Sequence, residues 1–194
     1  MDNKDFSIYT FLDKEFANIN HWLSFAEAKN AAVIALDTAL IGIFTRIIVS
    51  ETVSQNKCLL IFTITVLVLI IISLILALFS FLPIIVSEKS LIVAVYNKFI
   101  NSLKHDSTKG NRNYVFYGDI ARLEKAENYL EILRHNYRFP YFNNNQYLND
   151  MVQEIYINSQ VTVSKFIYFR LSTSILIGAF WIALVSLLLM LYTA

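Results

Sequence analysis

The chain has 194 residues, 56% of them hydrophobic, with 16 Lys and Arg against 15 Asp and Glu. A net charge of +1 excludes a nucleic-acid binder driven by bulk electrostatics, and a single cysteine, Cys58, excludes an intrachain disulfide framework and a thiolate zinc cluster. With a mean hydropathy of +0.51 and its apolar residues gathered into long runs, the composition is that of a membrane chain.

The first thirty residues carry Asp2, Asp5, Asp13, Glu15 and Glu27 and lack the basic-then-apolar order of a secretory signal, so the N-terminus is expected to be retained. Over 6–30, Phe6, Tyr9, Phe16, Ile19, Trp22 and Phe25 recur at roughly helical spacing with no Gly or Pro between them. That pattern predicts an amphipathic helix leading into the membrane, with Trp22 at headgroup depth. A first span, about 31–49, holds Asp37 deep within it and Arg46 near one end, where a long side chain can snorkel. After a short polar turn, 50–57, the second span runs from about Cys58 to Leu82, and Pro83 marks its end or a kink. Thr63, Thr65, Ser73 and Ser80 are almost its only polar groups, which predicts a helix that mostly faces lipid. The two charge-free runs, 58–87 and 171–194, both reach the ~20 residues that cross ~30 Å of hydrocarbon.

Between them, Leu91 to Lys104 is helical in pattern, and 105–113 is a polar loop. Tyr114 to Tyr117 is an aromatic and β-branched run ended by Gly118, either a strand fragment or an extended turn. Glu124 to His135 returns to helix, and Phe139-Pro140 with Asn143, Asn144 and Asn145 breaks it. From Gln146 nothing stops a helix up to the C-terminal residue, so the third span is expected to be the upper half of a long rod whose 146–166 portion projects ~30 Å. The expected fold is therefore an all-α membrane protein. Its parts are an N-terminal helix over 1–30, a two-span hairpin over 31–86, a small, mainly helical cytoplasmic segment over 87–166, and a third transmembrane helix over 167–194.

Ten of the 16 Lys and Arg fall between Lys89 and Lys165, and Lys4, Lys14 and Lys29 precede the first span. The positive-inside bias then places the N-terminus and 88–166 in the cytoplasm and the C-terminus at the far face. Enzyme signatures are missing. There is no Gly-rich phosphate loop, no paired-histidine zinc helix and no nucleophile elbow. His105-Asp106 resembles the start of a metal phosphohydrolase site, but only His21 and His135 are left to complete one, and a solvated loop pair accounts for it. Neither catalysis nor a cofactor or metal is expected.

Two groups of side chains stand out. Asp37 costs on the order of 3 kcal/mol at mid-span and must face protein or water. With Glu27, Asn30, Ile34 and Ile41 it lies at alternating three- and four-residue steps, so Glu27, Asn30 and Asp37 share a face. That face either partners a neighbouring helix of the chain or lines a pore in an oligomer. The densest cluster of binding-type groups is Arg112, Asn113, Tyr117, Asp119 and Arg122, where arginine suits phosphate and tyrosine can stack on a base. A polar, partly buried loop between helices is the plainer alternative. Tyr156, Asn158 and Lys165 on the long helix can contribute, and Asn158 interrupts its apolar side.

Several segments together resemble a known family. They are Ala26-Glu27-Ala28-Lys29, then Asn113-Tyr114-Val115-Phe116-Tyr117-Gly118-Asp119-Ile120-Ala121, Tyr129-Leu130, Ile155-Tyr156-Ile157-Asn158-Ser159, and Lys165-Phe166. In this order the chain resembles the transmembrane effectors of Pycsar anti-phage systems over nearly its whole length. It departs from the family pattern at Glu27, where Asp is usual, and at Asp37, where no acid is usual. The resemblance implies a cyclic mononucleotide signal, cyclic CMP or cyclic UMP, made by a partner pyrimidine nucleotide cyclase during infection. It also implies a homo-oligomer in the bacterial inner membrane that impairs that membrane when triggered. The alternative is a constitutive membrane scaffold or accessory subunit whose cytoplasmic segment binds a protein.

Overall fold

A computed structural model of the protein describes residues 8–82, 113–137 and 146–193. Six helices occur among them: α1 (Ile8–Ile48), α2 (Glu51–Gln55), α3 (Lys57–Phe79), α4 (Tyr117–Ile120), α5 (Ala126–Tyr137) and α6 (Gln146–Thr193). No strand occurs among the described residues. The expected helices at Leu91–Lys104 and the breaks at Pro83 and 139–145 fall outside them, as does His105-Asp106.

The N-terminal helix and the first span expected from the sequence form one element. With no Pro anywhere and Gly42 as its single Gly, nothing interrupts α1 over 41 residues, about 60 Å of helix. The polar turn after it contains the short helix α2, and Asn56 then starts α3, its Oδ1 accepting the backbone N–H of Cys58 at 3.1 Å and of Leu59 at 3.3 Å. Helix α3 ends at Phe79, before Pro83. Helix α6 is 48 residues long, as the absence of stop signals from Gln146 onward predicts. Three helices are long and apolar enough to cross a membrane: Ile8–Ile48, Lys57–Phe79 and Gln146–Leu188.

Each of these three carries a buried seam at three- and four-residue steps. On α1 it includes Ile8, Leu12, Glu15, Ile19, Ala26, Asn30, Val33 and Asp37. On α3 it runs Leu59, Thr63, Val66, Ile70, Ser73 and Ala77, and on α6 Leu148, Val152, Ile155, Ser159 and Thr162, then Ser172, Leu176, Ala179 and Ser186. A repeat near 3.5 residues keeps one stripe turned toward neighbouring helices. Most of α3 is not buried, in keeping with a second span that mostly faces lipid. Ile61, Ile64, Val68, Ile71, Ile72 and Ile75 are exposed, but the opposite stripe is packed, and hydropathy cannot tell the two apart because both are apolar.

The chain divides into two compact units, Met1–Phe25 with Pro83–Ser164, and Ala26–Leu82 with Lys165–Ala194. The first unit has a core of Ile8, Leu12 and Ile19 from α1, Ile120 and Leu123, Tyr129, Leu130 and Leu133 from α5, and Leu148, Val152 and Ile155 from α6. The second is centred on Val66, Ile70, Leu176 and Ala179.

Candidate functional site

In the first unit, the run that the sequence left as strand or turn is a turn that closes into α4. The Asn113 carbonyl accepts the Phe116 N–H at 3.0 Å, and Asn113 Oδ1 accepts the Val115 N–H at 3.1 Å, an Asx turn. Asp119 closes the loop from the other side. Its Oδ2 accepts the Asn113 N–H at 2.9 Å and its Oδ1 the Arg122 Nη1–H at 3.1 Å. Gly118 is buried here, and a Cβ on it would lie 2.4 Å from Cε1 of Phe116, so any larger residue would push that half-exposed ring aside. Two tyrosines hold the frame. Tyr129, fully buried on α5, donates to the Tyr114 carbonyl at 3.1 Å, and Tyr156 on α6 donates to the Leu123 carbonyl at 3.0 Å.

Asn113, Tyr117, Asp119 and Arg122 thus come together, while the fifth member of the cluster, Arg112, lies outside the described residues. Asn158 does not join the loop. Its Nδ2 donates to Asn20 Oδ1 on α1 at 3.0 Å. The Tyr117 ring lies 4.5 Å from that of Phe116 and 5.6 Å from that of Trp22, and burial pushes its hydroxyl above the ordinary phenol pKa. Trp22 is half-buried and packs against Tyr117. Nothing in local sequence pairs residues 95 positions apart, so this contact was not legible before the fold. Arg122 is the open end of the arrangement. Its side chain is 41% exposed against 15% for Asp119, and most of its five N–H donors have no partner among the described residues. A loop that carries an exposed guanidinium and aromatic faces can hold a phosphate and stack a base. Asp119, by contrast, is occupied in organising the loop. A cavity of about 350 Å³ in the same unit is lined by Phe16, Tyr147, Asp150, Met151 and Glu154, not by these residues.

In the second unit, the shared polar face of α1 is engaged by the chain's own helices. Asp37 is fully buried and its Oδ2 accepts the Ser73 hydroxyl of α3 at 2.8 Å. The same hydroxyl lies 3.1 Å from the Ser172 carbonyl of α6, so one serine joins three helices. Asn30, also fully buried, donates to the Ala26 carbonyl at 3.0 Å and to the Lys165 carbonyl at 3.1 Å. Lys165 in turn places Nζ 3.0 Å from Glu27 Oε1 and 3.0 Å from the Ser80 carbonyl, with the Phe81 ring 5.3 Å away. Lys29 lies over the Phe166 and Phe169 rings at 5.7 and 5.1 Å. Glu27 and Lys165, far apart in the sequence, are therefore one ion pair; of the serines read as minor polar groups on the second span, Ser80 supplies Lys165 with a carbonyl and Ser73 donates to Asp37. In a single copy Asn30 and Asp37 point inward, whereas Glu27 is half-exposed.

No curated protein and no solved structure matches the chain. A family model described as the Pycsar effector protein domain matches residues 11–192. With three helices apolar enough to cross a membrane and a match over nearly its full length, the chain belongs to the PycTM family, the transmembrane effectors of Pycsar anti-phage defence.

Proposed function

We propose that the protein is the signal-responsive effector of such a system: it senses a cyclic mononucleotide, cyclic CMP or cyclic UMP, through its first unit and impairs the inner membrane as a homo-oligomer. The observation that carries this reading is the family match over residues 11–192. The exposed Arg122 guanidinium, bonded to Asp119 in the loop that also carries Tyr117 and Phe116, supports it, because phosphate and a pyrimidine ring are the two halves of that ligand. Arg112, next to Asn113 in sequence, is the second candidate phosphate ligand, and Asn158 a lesser contributor. The concentration of Lys and Arg in 89–165 supports a cytoplasmic N-terminus and first unit, with the chain crossing the membrane three times.

Three helices of one chain cannot readily enclose a water path, so permeabilisation requires several copies, usually in closed rotational symmetry. Glu27, Asn30 and Asp37 hold helices together in the resting chain and become available to line water only when those helices part. A nucleotide drives that change to the extent that it binds one arrangement better than the other.

Calorimetry on the full chain in detergent, with cyclic CMP, cyclic UMP, cyclic AMP and cyclic GMP, tests the sensor. A pyrimidine cyclic nucleotide should bind, and Arg122→Ala and Arg112→Ala should each weaken it by one to two decades, roughly 1.5–3 kcal/mol. Dye release from liposomes on adding the same nucleotide tests the output. Absence of binding by all four would leave the scaffold alternative as the better account.

A further inference from the structure

A further cavity belongs to neither arrangement. It occupies about 1000 Å³ in the second unit, at the end that carries the α1–α3 turn, and is walled by the last turns of α1, by α2, by the start of α3 and by α6. Its lining includes Val53, Thr63, Trp181, Leu184 and Leu187, and it also includes Arg46. We infer that it is a binding site for one phospholipid with an anionic headgroup, its acyl chains in the crevice and its phosphate on Arg46.

The chemistry of the walls selects an amphiphile. Val53 is almost fully buried beneath the turn, whereas Ile43 on α1 and Trp181, Leu184 and Leu187 on α6 are about half or more exposed, so the crevice opens between α1 and α6. Water gains few partners against such walls, whereas hydrocarbon fills them without penalty. Arg46 sits in the last turn of α1, the depth at which a long basic side chain reaches headgroups. Thr63 lies six residues into the membrane from Lys57, ~9 Å along the helix, so the cavity runs from headgroup level into the hydrocarbon. Arg46 makes no ion pair or hydrogen bond among the described residues; the nearest carboxylate in sequence, Glu51, is exposed and unpaired with it. A free guanidinium at the lip of an apolar crevice matches an anion attached to a chain. A second copy of this helix bundle would fill the apolar part and leave that charge unmet.

The test is native mass spectrometry of the full chain, delipidated in detergent and titrated with phosphatidylglycerol or phosphatidylcholine of identical acyl chains. Wild type should retain one phosphatidylglycerol about fivefold more tightly than phosphatidylcholine. Arg46→Gln should abolish the preference while Arg170→Gln, an exposed arginine elsewhere on α6, keeps it. Ala183→Phe, which fills the crevice, should reduce retention of both lipids. Equal retention by wild type, or a preference unchanged in Arg46→Gln, overturns the assignment. So does a Leu187→Cys, Cys58→Ser protein that cross-links to a second copy through this face, because the occupant would then be protein.

Discussion

The two units share α1 and α6 but are packed by different means. The first is closed by large side chains, among them Leu133 and Tyr129, both fully buried, with tyrosine hydroxyls bonded to loop carbonyls, from Tyr129 to Tyr114 and Tyr156 to Leu123. The second has four buried residues in its apolar cluster among the described ones. Beside small apolar residues such as Ala26 and Ala77, its interior holds Thr63, Ser73, Ser80, Ser172 and Ser186 with Asn30 and Asp37, several of them bonded from helix to helix. The proposed topology, with the first unit in the cytoplasm and the second in the membrane, would account for the difference. In water, burying hydrocarbon drives packing. In lipid it does not, and close approach through small residues and interhelical hydrogen bonds takes over.

The sharpest way to break this comparison is a matched pair of truncations. Leu133→Ala in the first unit should cost ~3 kcal/mol, the transfer of the lost methyl groups plus the cavity they leave. Ile70→Ala, equally buried in the second, should cost less than half as much, because its transfer term largely vanishes in lipid. Unfolding of each full-length variant in bicelles measures both, and equal losses would refute the division.

Glu15 is the first unit's exception. It is almost fully buried on the α1 seam, its Oε1 has no partner, and burial pushes its carboxyl up to about 7 from 4.5, opposed by a side-chain hydrogen bond from Asn18. The folded chain therefore keeps a proton that the unfolded chain releases between those values. Stability should fall as pH rises from about 4.5 to 7 and level off above. Glu15→Gln should remove that slope, gaining on the order of 3 kcal/mol over wild type at pH 8 and nothing at pH 4. Thermal melts across this range measure it, and parallel profiles for the two proteins would exclude Glu15 as the source.

Next in size is the serine that joins three helices. Ser73→Ala leaves the buried Asp37 carboxyl without its donor, and should cost ~2 kcal/mol. Adding Asp37→Leu to that variant should restore most of the loss, since removing both partners is cheaper than removing one. A double mutant no better than the single would show that Asp37 is held by something else.

The smallest effect belongs to the ion pair of the second unit. Glu27 is 46% exposed and Lys165 only 11%, so Glu27→Gln should cost less than ~1 kcal/mol. Lys165→Met should cost more, because Lys165 also serves the Ser80 carbonyl. Melting temperatures of the two variants rank them, and the reverse order would mean that the pair itself carries the stability.

Hydrophobic run length, helical periodicity and the placement of stop signals were enough to predict the three long helices, the all-α class and the uninterrupted course of α6. These are properties of consecutive residues, so they are legible in one dimension. The aromatic–Gly–Asp segment was legible as a cluster because its hydrogen bonds join Asn113, Asp119 and Arg122, which are close in sequence. What needed the tertiary structure was every pairing across long separations: Trp22 with Tyr117, Glu27 with Lys165, Asn20 with Asn158, and Asp37 with Ser73. It also decided which side of α3 is packed. On a helix apolar all round, hydropathy carries no direction, and only the partner helices mark Thr63, Ser73 and Ala77 as the inner face.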